Sequence, residues 1–244
     1  MPAETIEHAP PKILFTKSHR PAGLEVPACK RCNNGSSSQD QVAAYFCLMQ
    51  AVALFDDNSG LSDEYASLLK TAEGVFNNQP ALKAAFQHAG QQVFQVSGKA
   101  QSLTKYKIND CIFENYLEPW AAKQVLAYWY AQTGKCASNQ TNILVRWTTL
   151  HELSNSEDLV SMVQNFPDIT NLAQGKWDTS QQFFVKHTLN PEEGLGMFFF
   201  AYHSGVSFYA ALVDNAAVEM EKFMSSNNQF AALKTNEKKG IHRL

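Results

Sequence analysis

The sequence contains no long apolar run, and no stretch of eighteen consecutive apolar residues that could form a membrane-spanning helix. Its first residues show neither a basic segment nor the apolar core of a secretory signal. Charged residues make up only 18% of the chain and the formal net charge is −3, so any surface for nucleic acid has to be local. We therefore expect a cytoplasmic protein without a membrane segment.

Cysteine is scarce, and several common catalytic motifs are missing. The chain has five cysteines, and this odd number in a long chain argues against a framework of disulfides and favours a reducing compartment. The sequence has no glycine-rich phosphate loop and no serine nucleophile elbow. We therefore expect neither a dinucleotide cofactor nor a serine hydrolase.

The apolar residues that are present, 45% of the chain, follow the periods of both helices and strands. Helical spacing predicts helices over residues 36–55, 62–75, 80–93, 109–133 and 157–164. Pro119 predicts a kink or a break inside the longest of them. Residues 98–107 are polar and basic, which predicts a loop. Runs of β-branched and aromatic residues predict strands at 142–149, 182–187, 196–202 and 206–213, the last three as an antiparallel meander. The predicted fold class is α+β.

The first 35 residues contain the cluster of side chains best suited to catalysis or metal binding. Glu7 and His8 form an acid–histidine pair, which could hold a hard cation and accept a proton from water. Cys29 and Cys32 have the CxxC spacing that lets two thiolates reach one zinc ion. Since a structural zinc needs four ligands, two free thiols are about equally consistent with this spacing. A redox pair is a weaker interpretation, because no strand–CxxC–helix unit surrounds the cysteines.

The segments EHAPPKILF and GLEVPACKRCNNG together resemble the HNH-type (ββα-metal) endonuclease family, in a variant that is common in bacteria. The matching pattern is acid–His–x–Pro–Pro–Lys followed by N-L-x-x-V-P-x-C-x-x-C-N, and it covers about residues 7–35. The resemblance implies that His8 is the general base that activates water. It also implies that Glu7 and Asn33 hold one divalent cation, Mg²⁺ or Mn²⁺. Cys29 and Cys32 would form the second half of the family's structural zinc knuckle.

The resemblance also implies a domain organisation and a substrate. We expect a short treble-clef or ββα-metal-like segment over residues 1–45 and a larger helical and antiparallel-sheet domain over residues 46–244. The expected activity is hydrolysis of DNA phosphodiester bonds. A mild local excess of basic residues is compatible with phosphate contacts and equally with an ordinary solvated face. These residues are Lys12, Lys17, Arg20, Lys30 and Arg31.

Two features differ from the family's pattern and define an alternative. The family's first CxxC normally precedes the acid–histidine pair, and only six residues precede Glu7 here. The middle asparagine of the motif, which orients the histidine, would fall near Gly23, and glycine has no side chain to make that hydrogen bond. The alternative is therefore a catalytically inactive HNH-like module that binds nucleic acid or protein.

Overall fold

The architecture is taken from a computed structural model of the chain. It describes residues 3–15, 21–22, 24–54, 70, 73–74, 77, 86–96, 99–108, 112–149, 157–166, 168–170, 173–174, 177–178, 182–203, 206–214 and 240–243.

The N-terminal segment folds as a two-stranded ribbon followed by two helices. Strand β1 (Thr5–His8) pairs with β2 (Glu25–Ala28) in antiparallel register, so that His8 faces Glu25 across the ribbon. A 3₁₀ turn (Lys12–Leu14) follows β1, and helices α1 (Lys30–Gly35) and α2 (Ser37–Leu54) follow β2. The helix predicted over residues 36–55 is confirmed as α2. Its first turn carries Asp40, where a negative charge suits the helix dipole.

The next described segment corrects two predictions. The helix expected over residues 80–93 is wrong from residue 86 onward, because Phe86–Val96 forms strand β3. The loop expected over 98–107 is also wrong, because Lys99–Ile108 forms strand β4 and pairs with β3. The register of this hairpin shifts between His88 and Gly90, as at a β-bulge. The helix predicted over 62–75 falls almost entirely outside the described residues.

The longest predicted helix is present with an irregular first part. Residues Phe113–Leu117 form a π-helical turn, and helix α3 runs from Glu118 to Thr133. Pro119 lies in the first turn of α3, directly after the π-helical turn. The predicted break at Pro119 is therefore a change from π- to α-helical geometry. Gly134 ends α3 with a φ of +68° and donates its N–H to Tyr130 O at 2.8 Å.

The predicted meander is confirmed as part of a larger antiparallel sheet. Strands β5 (Asn142–Thr149), β9 (Phe183–Asn190), β10 (Leu195–Tyr202) and β11 (Val206–Val213) occupy its centre. With β6 (Asp168–Thr170) and β12 (Gly240–Arg243) they form a sheet in the order β12-β5-β11-β10-β9-β6. Helix α4 (Glu157–Gln164) is confirmed with its predicted bounds. Strands β7 (Ala173–Gln174) and β8 (Trp177–Asp178) form a separate short pair.

The main core lies where α2 and α3 cover one face of this sheet. Trp120 from α3 contacts the Tyr202 ring at a centroid distance of 5.1 Å, and Phe200 contacts Phe208 at 4.8 Å. Such aromatic pairs contribute roughly 0.5–1.5 kcal/mol each beyond the area that they bury. The cluster contains residues from the N-terminal segment, the two long helices and the central strands, among them Leu14, Phe15, Leu24, Val42, Cys47, Leu117, Trp129, Ile143, Val185 and Leu212. A second cluster on the opposite face includes Leu144, Phe166, Phe199 and Tyr209.

The α+β class therefore holds, and the core joins the two parts of the chain. The predicted boundary after residue 45 lies inside α2, and residues on both sides of it, such as Leu14 and Trp120, share one cluster. The division into two domains and the treble-clef description of residues 1–45 stay predictions. Among the described helices, none has the length and apolar character needed to cross a membrane.

Two glycines with nearly equal positive φ provide a test of the close approach between β10 and the end of β11. Gly134 has a φ of +68° and no atom within 4 Å of an added Cβ, whereas Gly194 has a φ of +67° and Asp214 O at 2.6 Å. We expect Gly134→Ala to lower the free energy of unfolding by about 1 kcal/mol, the cost of a left-handed backbone. Gly194→Ala should cost about 2 kcal/mol more, because a backbone atom also has to move. Urea denaturation of both variants measures the difference, and equal losses would contradict the close approach.

Candidate functional site

The ribbon β1–β2 places Glu7 and His8 on opposite faces. Successive side chains of a strand alternate, and the contacts follow that rule. Glu7 is 7% exposed and faces the helices, whereas His8 faces its cross-strand partner on the more exposed side. The N-terminal acid–histidine pair is therefore adjacent in sequence but divided between two environments.

His8 forms an ion-pair contact with Glu25. His8 Nδ1 lies 3.2 Å from Glu25 Oε1, and the two side chains are 26% and 51% exposed. A carboxylate that accepts the Nδ1 hydrogen selects the tautomer in which Nε2 is the basic ring nitrogen. Glu25 thus contacts the imidazole, whereas the position near Gly23, where the family's orienting asparagine would fall, has no side chain to do so. Sequence reasoning missed Glu25, since its role depends on the register His8↔Glu25.

The Glu7 carboxylate lies against the beginning of α2 and against α3. Oε1 accepts a hydrogen bond from the His8 backbone N–H at 3.1 Å, and Oε2 lies 3.5 Å from the Ser36 hydroxyl. Oε1 is also 3.6 Å from Lys123 Nζ. Glu7 is therefore held by β1 itself, by the residue before α2 and by a side chain of α3.

Lys123 is the cation of this cluster. Its Nζ lies 2.5 Å from Asp40 Oδ1 and 3.1 Å from Ser36 Oγ, in addition to the Glu7 contact. Burial raises the pKa of the Asp40 carboxyl to about 6, with the Lys123 charge opposing the rise and the Glu7 charge adding to it. Sequence reasoning assigned no site role to Lys123, Ser36 or Asp40. The contacts from Lys123 to the other two span 87 and 83 residues of chain, and no local motif marks them.

Asn33 lies near this cluster but faces β1. Its Nδ2 donates to Ile6 O at 3.1 Å and to Thr5 Oγ1 at 3.2 Å, which fastens α1 to β1. Because a backbone carbonyl only accepts, Nδ2 is the atom that faces β1 and Oδ1 faces away from it. Ser36 Oγ lies 3.1 Å from the Asn33 backbone carbonyl and 3.5 Å from Glu7 Oε2, so one hydroxyl contacts the main chain of α1 and the Glu7 carboxylate.

The oxygens of this cluster are of the chemical type that binds a hard divalent cation. Carboxylate and amide oxygens, such as those of Glu7 and Asn33, are the ligands that Mg²⁺ and Mn²⁺ prefer. Within the described residues, no group of three or more histidine, cysteine, aspartate and glutamate side chains is placed to hold a metal ion. The predicted metal ligands Glu7 and Asn33 are only two residues, and Asn33 would bind through an amide oxygen, so this pair is not a group of that kind.

The predicted zinc ligands are described only in part. Cys29 is half-buried, and its carbonyl accepts the Asn33 N–H at 3.0 Å in the first turn of α1. The side chain of Cys32 lies outside the described residues. The partial zinc knuckle of Cys29 and Cys32 therefore stays a prediction.

The predicted basic surface is likewise described in part. Lys12, in the 3₁₀ turn after β1, and Lys30, the first residue of α1, are both exposed. Lys17, Arg20 and the side chain of Arg31 lie outside the described residues. Two of the five predicted phosphate-binding side chains are thus placed on the outside of the N-terminal segment.

Comparison with known proteins provides no relative: no family model, no curated protein and no solved structure matches the chain. The assignment of a function therefore depends on the residues and on their geometry.

The loop after β1 is anchored in the core by a buried histidine, and this predicts a pH dependence. His203 is 4% exposed, has a φ of 49° and donates from Nε2 to the Leu14 carbonyl. Burial lowers the pKa of His203 from 6.5 to about 4, and the Leu14 hydrogen bond opposes the shift. Between about pH 6.5 and pH 4, His203 is therefore protonated in the unfolded chain but neutral in the folded protein. The stability that is present above pH 6.5 is lost on acidification towards pH 4.

We expect this histidine to contribute about 3 kcal/mol of the loss of unfolding free energy across that interval. His203→Asn should reduce the loss, because asparagine tolerates positive φ but does not titrate. Urea unfolding of both proteins at a series of pH values measures the two slopes. Parallel stability curves would contradict the burial of a neutral imidazole.

Proposed function

We propose that the chain is a metal-dependent HNH-type endonuclease that hydrolyses DNA phosphodiester bonds. The observation that carries the proposal is the contact of His8 Nδ1 with Glu25 Oε1 at 3.2 Å. It provides the predicted base His8, on β1, with a carboxylate partner on β2. The predicted acidic ligand Glu7 lies on the opposite face of β1. The resemblance over residues 7–35 supplies the reaction class.

The proposed reaction uses His8 as a general base. Nε2 takes a proton from a water molecule, and the hydroxide that results attacks the phosphorus atom of a DNA phosphodiester. The bond from phosphorus to the leaving oxygen breaks, and that oxygen takes up a proton from solvent. Glu25 accepts the Nδ1 hydrogen bond throughout and stabilises the positive charge that forms on the imidazole.

The proposed metal ligands are Glu7 and the Oδ1 atom of Asn33. A bound Mg²⁺ or Mn²⁺ ion would stabilise the negative charge of the phosphate in the transition state. Glu7 is buried and held by Ser36, and Asn33 is held against β1, so both oxygens belong to side chains with fixed positions. Fixed ligands of this kind favour a defined coordination geometry.

Exposed lysines provide the proposed contacts to DNA. Lys12 and Lys30 lie in elements that directly follow β1 and β2, and both side chains are exposed. Positive side chains near a phosphodiester site neutralise phosphates and release counterions. Lys17, Arg20 and Arg31 are the further candidates from the sequence.

Nicking of supercoiled plasmid with Mg²⁺ or Mn²⁺ tests the proposal. We expect metal-dependent nicking by the wild type, a loss of at least about 100-fold in rate for His8→Ala, and a loss of about tenfold or more for Glu25→Ala, because the imidazole loses its orienting partner. Glu192→Ala, which removes an exposed carboxylate on the turn between β9 and β10, is the matched control and should keep the wild-type rate.

Nicking that survives His8→Ala would contradict His8 as the base. An equal rate for Glu25→Ala and Glu192→Ala would contradict the orienting role of Glu25. A folded wild-type protein without metal-dependent nicking would contradict the endonuclease proposal as a whole.

A specific observation favours a second candidate, a catalytically inactive HNH-like module that binds nucleic acid or protein. Lys123 Nζ already places a positive charge 3.6 Å from Glu7 Oε1. In such a module the ammonium neutralises the acidic residue for structural reasons, and the exposed basic residues bind a polyanion. The argument for the module does not depend on the base His8.

Binding of duplex DNA at a series of salt concentrations tests this candidate. We expect Lys12→Gln with Lys30→Gln to weaken binding to all sequences alike and to lower the slope of log K against log salt by about 2, one unit for each lost phosphate contact. Lys135→Gln, at an exposed position beyond α3, is the control and should keep both affinity and slope. An unchanged slope in the double variant would contradict a DNA surface on the N-terminal segment.

A further inference from the structure

Lys123 is a charged residue in a largely buried part of α3. Its neighbours Ala122 and Gln124 are buried, as are eight of the sixteen residues of the helix in all. The Lys123 side chain itself is 18% exposed and reaches from α3 to the start of α2 and to β1. A charged group this far from water is retained where it has charged or polar partners.

The partners of Lys123 are all oxygen atoms of one cluster. They are Asp40 Oδ1 at 2.5 Å, Ser36 Oγ at 3.1 Å and Glu7 Oε1 at 3.6 Å. An ammonium group has three N–H donors and no acceptor, so three surrounding oxygens match its hydrogen-bonding capacity. Carboxylate and hydroxyl oxygens are also the kind of ligand that a hard divalent cation requires.

A lysine ammonium and a divalent cation repel each other strongly at these distances when they share one partly buried carboxylate. Glu7 is 7% exposed, so little solvent screens the repulsion. The two cations therefore compete for the same carboxylate. The contact with Glu7 is the longest of the three, and the one that Lys123 can lose while it keeps Asp40 and Ser36.

We propose that Lys123 is an internal competitor of the divalent cation at Glu7, so that the cation binds this carboxylate only when the Lys123 ammonium withdraws from it. This inference rests on the proposed metal role of Glu7. Lys123 then sets the affinity of the metal site, and it is a positioning residue that contacts neither substrate nor the reacting atoms.

The first experiment measures Mn²⁺ binding directly, from the electron paramagnetic resonance signal of free Mn²⁺, without any nuclease assay. We expect Lys123→Gln to bind Mn²⁺ roughly tenfold or more tightly than the wild type, a coupling of ordinary size between two competing ligands. The gain should disappear in the double variant with Glu7→Gln. Lys123→Arg keeps the positive charge and should bind Mn²⁺ as the wild type does.

The outcomes separate this inference from the proposed function. Equal Mn²⁺ affinity in wild type and Lys123→Gln, with weaker binding in Glu7→Gln, would overturn the competition and leave Glu7 as a metal ligand. The absence of Glu7-dependent binding in every protein would overturn the competition and the metal role of Glu7 together.

A second experiment uses the wild-type protein alone, in case Lys123→Gln fails to fold. Pulse acetylation of lysines followed by mass spectrometry measures how accessible each amine is. Saturating Mn²⁺ should raise the labelling rate of Lys123 severalfold, because the ammonium leaves Glu7, and should leave the exposed Lys135 unchanged. An unchanged labelling ratio of Lys123 to Lys135 would overturn the competition.

Discussion

Burial of α3 on several sides is the constraint on which the rest of the described structure depends. The helix contacts the sheet through Trp120 and contributes Trp129 to the same core. A helix buried in this way is expected to be apolar around most of its surface, and Lys123 is an exception. Its ammonium needs anionic partners, and Asp40 and Glu7 provide them from α2 and β1. The Lys123 contacts with Glu7 and Asp40, together with the packing of Ala9 and Val26 against Ala127 of α3, hold the N-terminal ribbon against this helix.

Much of the fold could be predicted from local patterns, and the errors have a physical origin. The strands at 142–149 and 206–213 were predicted from β-branched and apolar runs, and their bounds and those of the helix at 157–164 agree with the structure. Residues 80–93 contain apolar residues at helical spacing, yet the segment from residue 86 pairs with β4. The pattern around Val93, Phe94 and Val96 also fits a strand, and only the long-range pairing decides between the two periods.

In the candidate site, too, some residues could be identified from the local sequence and others could not. Glu7, His8 and Asn33 were identified from a motif, because their chemistry is local to the first 35 residues. Glu25 required the register of β1 with β2, and Lys123 required the packing of a helix more than 80 residues away along the chain. Neither relationship is encoded in spacing or composition. Glu25 and Lys123 were missed by the sequence analysis because their contacts cross between elements.

The alternation of side chains along β1 connects these results to function. His8 is the last residue of β1 and Glu7 precedes it, so one strand presents an imidazole on its more exposed face and a carboxylate on its buried face. The exposed contact with Glu25 can change without disturbing the core, whereas the buried carboxylate is joined to Lys123 and through it to α3. Any cation that approaches Glu7 therefore acts on the interactions that hold the ribbon to α3. The proposed metal site and the docking of the ribbon therefore share the Glu7 carboxylate.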